Sequence, residues 1–142
     1  MAVDSRAEAT WRGDLMSGEG RVTPASGAFP EQQLTWNARA QSRESGTSPE
    51  ELIAAAHAGC FAMALSNGLA KAGYPATELR TSATVTFQAG EGITAIKLTV
   101  SGDVPGLDED GFREQAEAAK AGCPVSKALA AVPISLEVHA GG

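Results

Sequence analysis

The sequence predicts an α+β fold, in which strands and helices come in runs rather than in strict alternation. Three observations carry that expectation. Short stretches of period-two apolar alternation stand near both ends of the chain and recur in its middle. A long stretch, residues 52–72, consists of Ala, Leu, Met and Ile with few polar interruptions. A second helical pattern over residues 108–121 repeats its apolar positions at helical spacing through Phe112, Ala116 and Ala119.

The elements follow in order. Residues 7–12 with Trp11 read as a first strand, residues 18–20 as a hairpin turn and residues 21–23 as a second strand. Residues 34–39 (LTWNAR) predict a third strand with Leu34, Trp36 and Ala38 on one face, after a Pro- and Gly-rich loop (PASGAFPEQQ). A helix then starts near Pro49. Thr47 or Ser48 can cap it, Pro49 suits its first turn, and Glu50 and Glu51 favour its positive end. Being apolar on most faces, this helix is expected to be the buried central element, and Gly73 ends it. A dimer partner is one source of the cover it needs. Residues 83–87 alternate, the AGEG turn follows at residues 89–92, and Ile96, Leu98 and Val100 alternate beyond it. After Pro105–Gly106 come the helix over 108–121, a short helix starting at Cys123–Pro124, and a last strand with Ile134, Leu136 and Val138 facing in. The expected order is βββ-α-ββ-α-α-β. No repeat or linker interrupts it, so residues 1–142 are read as one domain.

Composition narrows the function. A net charge of −6 argues for a soluble chain and against a nucleic-acid partner, which needs a basic footprint. No apolar run is expected to reach the ~18–20 residues of a membrane span. The N-terminal stretch MAVDSRAEATWRGDL has no apolar signal core, which leaves the cytoplasm as the expected compartment. There, two cysteines do not suggest a structural disulfide. A metal centre is not expected either, because Cys60, Cys123, His57 and His139 lack the usual ligand spacings.

Composition alone makes the cysteines small core residues, but position suggests chemistry. In AGCPVSKAL, Pro124 takes the first helical position and Cys123 the cap, where the helix end favours thiolate. Cys123 is therefore expected to be accessible. Cys60 sits in AAAHAGCFAMAL among small residues that leave room for another backbone or a substrate. Buried among apolar groups it would be inert, so its reactivity requires a cation. Arg39, Arg21 and Arg43 are the candidates, and Glu50 could orient an arginine by a bidentate contact. His57, three residues before Cys60, shares its helix face. It reads as a hydrogen-bonded residue near the core edge, with a Cys–His nucleophile pair as the sharper possibility. His139 reads as a surface residue, and Met63 as core packing.

The segments SPEELIAAAHAGCFAMAL (48–65) and KAGCPVSKAL (120–129), together with WNAR (36–39), resemble the OsmC/Ohr family of bacterial hydroperoxide-detoxifying proteins. WRGD, GTSPEEL, VPGLD and ISLEV extend the likeness over nearly the whole chain, and AAHAGC with AGCPVS is nearer the OsmC branch. The resemblance implies curved mixed sheets with long central helices, an intertwined homodimer and active sites at its interface. It implies Cys60 as peroxidatic and Cys123 as resolving cysteine, Arg39 as activating arginine with Glu50 its carboxylate partner, and Arg21 as the lower-ranked alternative. It further implies organic hydroperoxide as substrate, a dithiol such as a lipoyl group as reductant, no metal or other cofactor, and a role in osmotic and oxidative stress. Two other functions compete: a stress-related binding protein with inert thiols, and a hydrolase using Cys60 and His57.

Overall fold

The computed structural model of the chain describes residues 1–41 and 46–139, so Arg43 lies outside the described residues. Chain contacts group into two compact units, Met1–Leu52 and Ile53–Gly142.

The first unit carries a three-stranded antiparallel sheet of β1 (Ala7–Arg12), β2 (Glu19–Pro24) and β3 (Gln32–Leu34) in that spatial order. The first hairpin turns earlier than expected. Arg12 already pairs with Glu19, and the turn lies before Gly18, with the Asp14 carboxylate accepting from the Ser17 N–H and hydroxyl. The third strand is also displaced. Its only paired residues are Gln32–Leu34, and the expected strand over 34–39 is instead helix α1 (Trp36–Ala40). Thr35 decides this, because its hydroxyl accepts from the Ala38 N–H at 3.0 Å and starts a helical turn. Three alternating apolar residues are too few to outweigh a cap followed by Asn, Ala and Arg.

Helix α2 (Pro49–Lys71) begins where its sequence signals place it. Ser48 Oγ accepts from the Glu51 N–H at 3.1 Å, and Thr47 donates its hydroxyl to the Glu51 carboxylate at 2.6 Å. Beyond Lys71 the chain reverses through Gly73 at φ +94°, with the Tyr74 N–H closing back on the Leu69 carbonyl. Only glycine enters that conformation without penalty.

The second unit holds a mixed sheet of β4 (Glu78–Gln88), β5 (Gly92–Asp103) and β6 (Ile134–Val138) in the order β4-β5-β6. The first pair is an antiparallel hairpin, with an irregularity between Thr86 and Phe87, and β6 runs parallel to β5. A parallel neighbour requires a crossover. Helices α3 (Glu109–Gly122) and α4 (Pro124–Ala128) supply it. Val85, Ile96, Leu98 and Val100 from the sheet form one core with Phe61, Leu65 and Leu69 of α2 and Phe112, Ala116 and Ala119 of α3.

Helix α2 departs from expectation in its burial. It is apolar on most faces, yet one stripe alone is buried, through His57, Phe61, Leu65 and Leu69. Ala55, Ala56, Gly59, Met63 and Asn67 on the other side are exposed, and Met63 is 75% exposed rather than packed in a core. The helix is also long and apolar enough, by length and composition, to cross a membrane, which corrects the expectation that no run reaches that length. Alanine accounts for much of that hydropathy, and the large side chains of its inner stripe belong to the core.

Candidate functional site

Two clusters of chemistry-bearing side chains form, one in each unit. In the first, Arg39 in the last turn of α1 meets Glu50 in the first turn of α2. Nε donates to Oε1 at 3.0 Å and Nη2 to Oε2 at 2.9 Å, a bidentate pair. Glu50 is 1% exposed and is paired there with a guanidinium that stays about one-third exposed. Arg21 makes a looser contact with Glu31 at 3.7 Å, with both side chains about half exposed. Such a surface pair contributes little.

In the second unit the two cysteines meet. Cys60, in the fourth turn of α2, and Cys123, at the cap of α4, bring their sulfurs to 2.8 Å with both thiols free. A disulfide needs ~2.05 Å, so closing one requires little movement. Cys123, expected to be accessible, is instead fully buried, and Cys60 is half-buried. Cys123, at the cap before Pro124, lies against Cys60 of α2, and Cys60 is the more exposed of the two sulfurs.

The electrostatics of the pair are unequal. Burial pushes the Cys60 thiol above its ordinary value, and the neighbouring Cys123 sulfur adds to this against one opposing N–H from Val125. Burial acts on Cys123 in the same direction, but it is outweighed. Hydrogen bonds from Cys60, from the N–H and hydroxyl of Ser126 and from the Val125 N–H hold Cys123 below the ordinary thiol range. The thiolate preference expected at the cap is present. The unaided thiolate preference of Cys60 is not.

His57 is fully buried, and its Nε2 lies 2.7 Å from Ser126 Oγ. Nδ1 is buried without a partner among the described residues, and burial lowers the ring's pKa. The expectation of a hydrogen-bonded histidine at the core holds, and its bond goes to Ser126, not to Cys60. Sequence reasoning passed over Ser126. The available signal was its place three residues after Cys123, in the first turn of α4. His139 is at the surface, as expected, 3.2 Å from Glu137.

Cys60 opens onto a groove of about 900 Å³ between α2 and α3. Small residues of α2 (Ala55, Ala56, Gly59, Ala64) and of α3 (Ala118, Ala119, Gly122) form most of its wall, with Met63, Asn67, Lys71 and Gln115 further along. The alanines and glycines around Cys60 thus leave space, as their size implies. Among the described residues, no group of three or more His, Cys, Asp or Glu gathers as metal ligands.

Fold and site together define a class: a small α+β protein with two free thiols in contact at the edge of an apolar groove. The chain matches the OsmC-like protein family over residues 42–137. It is 44% identical over 134 residues to Peroxiredoxin OsmC of Escherichia coli (strain K12), an alignment spanning 92% of this chain and 93% of that one. The organic hydroperoxide resistance protein OhrB of Bacillus subtilis superposes with a TM-score of 0.68 at 27% identity, covering 94% and 98% of the two chains. An OsmC-like protein of Mycoplasma pneumoniae shares the fold at a TM-score of 0.71 and 18% identity, over 100% of both chains. This chain belongs to the OsmC-like family. Its α+β fold is the one the sequence resemblance implied.

Proposed function

We propose that the chain is a thiol-dependent peroxidase that reduces organic hydroperoxides to alcohols through Cys60, with Cys123 as the resolving thiol. The observation that carries this reading is the 2.8 Å contact between a half-exposed and a buried free cysteine beside an apolar groove. The names of the relatives, a peroxiredoxin and an organic hydroperoxide resistance protein, support it.

In the first step the Cys60 thiolate attacks the terminal peroxide oxygen. The O–O bond breaks, the alkoxide takes a proton and leaves as alcohol, and Cys60 becomes a sulfenic acid. The Cys123 thiolate then attacks the sulfenic sulfur. The S–O bond breaks, hydroxide leaves with a proton as water, and the disulfide forms. An external dithiol, such as a lipoyl group, returns two electrons and two protons by exchange. The cycle draws on no metal or other cofactor.

Burial and the neighbouring Cys123 sulfur push the Cys60 thiol above its ordinary value, so the first step draws on a cation. Arg39 is assigned that role, with Glu50 orienting its guanidinium; Arg21 ranks below it because its contact is loose and exposed. In this reading residues 1–142 act as one domain. Two chains form a homodimer in the cytoplasm in this reading, and either protomer can then be the source of the arginine. A Cys–His hydrolase would need His57 as base for Cys60, and the only bonded nitrogen of His57 is on Ser126.

The test is intact-mass analysis after one equivalent of an organic hydroperoxide such as cumene hydroperoxide. The expected product has lost two hydrogens per chain and carries a Cys60–Cys123 link. Survival of both free thiols would defeat the proposal. So would comparable rate constants for hydrogen peroxide and an organic hydroperoxide, as regards the substrate preference.

A further inference from the structure

The buried pair His57–Ser126 takes no part in the scheme above, yet it adjoins the Cys123 sulfur. Ser126 Oγ has one proton; the imidazole Nε2 lies 2.7 Å from it, and Cys123, one helical turn back at the cap of α4, is the second group that could receive it. Which neighbour receives it depends on the tautomer of His57.

If the hydroxyl donated to Nε2, the ring's own proton would sit on Nδ1. That would be a buried N–H with no acceptor, since Nδ1 has no partner among the described residues. Ser126 would then face the Cys123 sulfur with lone pairs. If instead Nε2–H donates to Oγ, Nδ1 keeps only an idle lone pair, the milder of the two losses. The hydroxyl proton is then free to point at the sulfur. Burial disfavours the imidazolium, which favours the neutral ring with a single N–H to donate.

We propose that His57 and Ser126 form a directed relay, Nε2–H to Oγ and O–H to sulfur, that positions Cys123 as the thiolate ready to attack its neighbour. Both are positioning residues: His57 acts through Ser126, and neither touches the peroxide. The purpose of the relay rests on the reading of Cys123 as resolving thiol. Its existence does not, because it can be measured without peroxide.

The experiment uses the Cys60→Ser chain, in which Cys123 is the one thiol and its directly bonded titratable neighbour is gone. Thiolate ultraviolet absorbance against pH gives the Cys123 midpoint. Ser126→Ala is expected to raise that midpoint by about one pH unit, the scale of one hydrogen bond to a charged group. His57→Phe should raise it in the same direction by less. His57→Gln, which returns an N–H near Nε2, should bring it back toward the parent value. A second measurement needs no substitution: nitrogen-15 NMR of the reduced, unaltered protein near neutral pH is expected to show the proton of His57 on Nε2. An unchanged midpoint in folded Ser126→Ala, equal midpoints for His57→Phe and His57→Gln, or a proton on Nδ1 would each overturn the relay. A chain that shows the relay but consumes no peroxide would defeat the peroxidase reading alone.

Discussion

Cys60 and Cys123 share a hydrogen bond whose two ends are shifted in opposite directions. The folded state favours the thiol of Cys60, a contribution present below the ordinary thiol pKa and lost as pH rises through the raised value. It favours the thiolate of Cys123, a contribution present above the ordinary value and lost as pH falls through the depressed one. The reduced protein should therefore gain stability as pH rises toward the ordinary thiol pKa of about 8.5 and lose it beyond. Denaturant unfolding at about pH 6, 8.5 and 10, compared with a Cys60→Ser/Cys123→Ser double variant, checks this. A difference between the two proteins that is flat with pH would contradict it. In turnover assays Cys60→Ser should abolish peroxide consumption, Cys123→Ser should allow one event before stalling, and His57→Ala should retain turnover. Arg39→Ala leaves the buried Glu50 carboxylate without its bidentate partner, at a cost of up to about 3 kcal/mol, and should also slow the first oxidation. Thermal unfolding together with single-turnover rates separates those two effects. At this scale the cap position of Cys123 was legible from the local sequence, whereas the Arg39–Glu50 pair came through the family resemblance, since the residues alone left Arg39, Arg21 and Arg43 open. Which cysteine is exposed, and that His57 meets Ser126 across 69 residues, depends on how α4 packs against α2, and no local pattern encodes that.

Helix α1 shows how a single side chain can overrule a pattern. The alternation of Leu34, Trp36 and Ala38 suits a strand, but Thr35 caps a helix there, and that helix carries Arg39 to Glu50. Thr35→Ala should cost about 1 kcal/mol. It should also loosen the Arg39–Glu50 pair, whereas Thr35→Ser, which keeps the cap, should not. Thermal melts of the two variants distinguish a lost cap from a lost methyl group. The long helix α2 was legible because its signals are strong and local: a Ser48 cap, Pro49 in the first turn, Glu51 three residues after the cap, and Gly73 beyond the end. The hairpin of β4 and β5 and the inner face of α3 were legible for the same reason, since a sustained period has few competing readings. The pairing of β6 parallel to β5 was not, because parallel partners are separated by a whole crossover.

For the molecule as a whole, the uncovered side of α2 is the feature a single chain leaves unresolved. Ala55, Ala56, Gly59 and Met63 lie exposed on a helix whose composition is that of a buried element. Small residues permit close approach of another backbone, and burying a side chain the size of Met63 stabilises by about 1.5–3 kcal/mol. The proposed homodimer would cover this side. A charge of −6 on each chain opposes association, and salt screens that repulsion while leaving apolar burial intact. The dimer is therefore expected to tighten, not loosen, as salt rises from low ionic strength. Met63→Glu would place a carboxylate in the contact and should shift the chain toward monomer. Because Met63 is outside the core of the second unit, the variant should keep its secondary structure. Light scattering over a concentration series at low and moderate salt reads both effects, and circular dichroism confirms the fold. Dimers unaffected by Met63→Glu would place the contact on another surface, and a monomer at every concentration would remove the second protomer as a source of the arginine for Cys60.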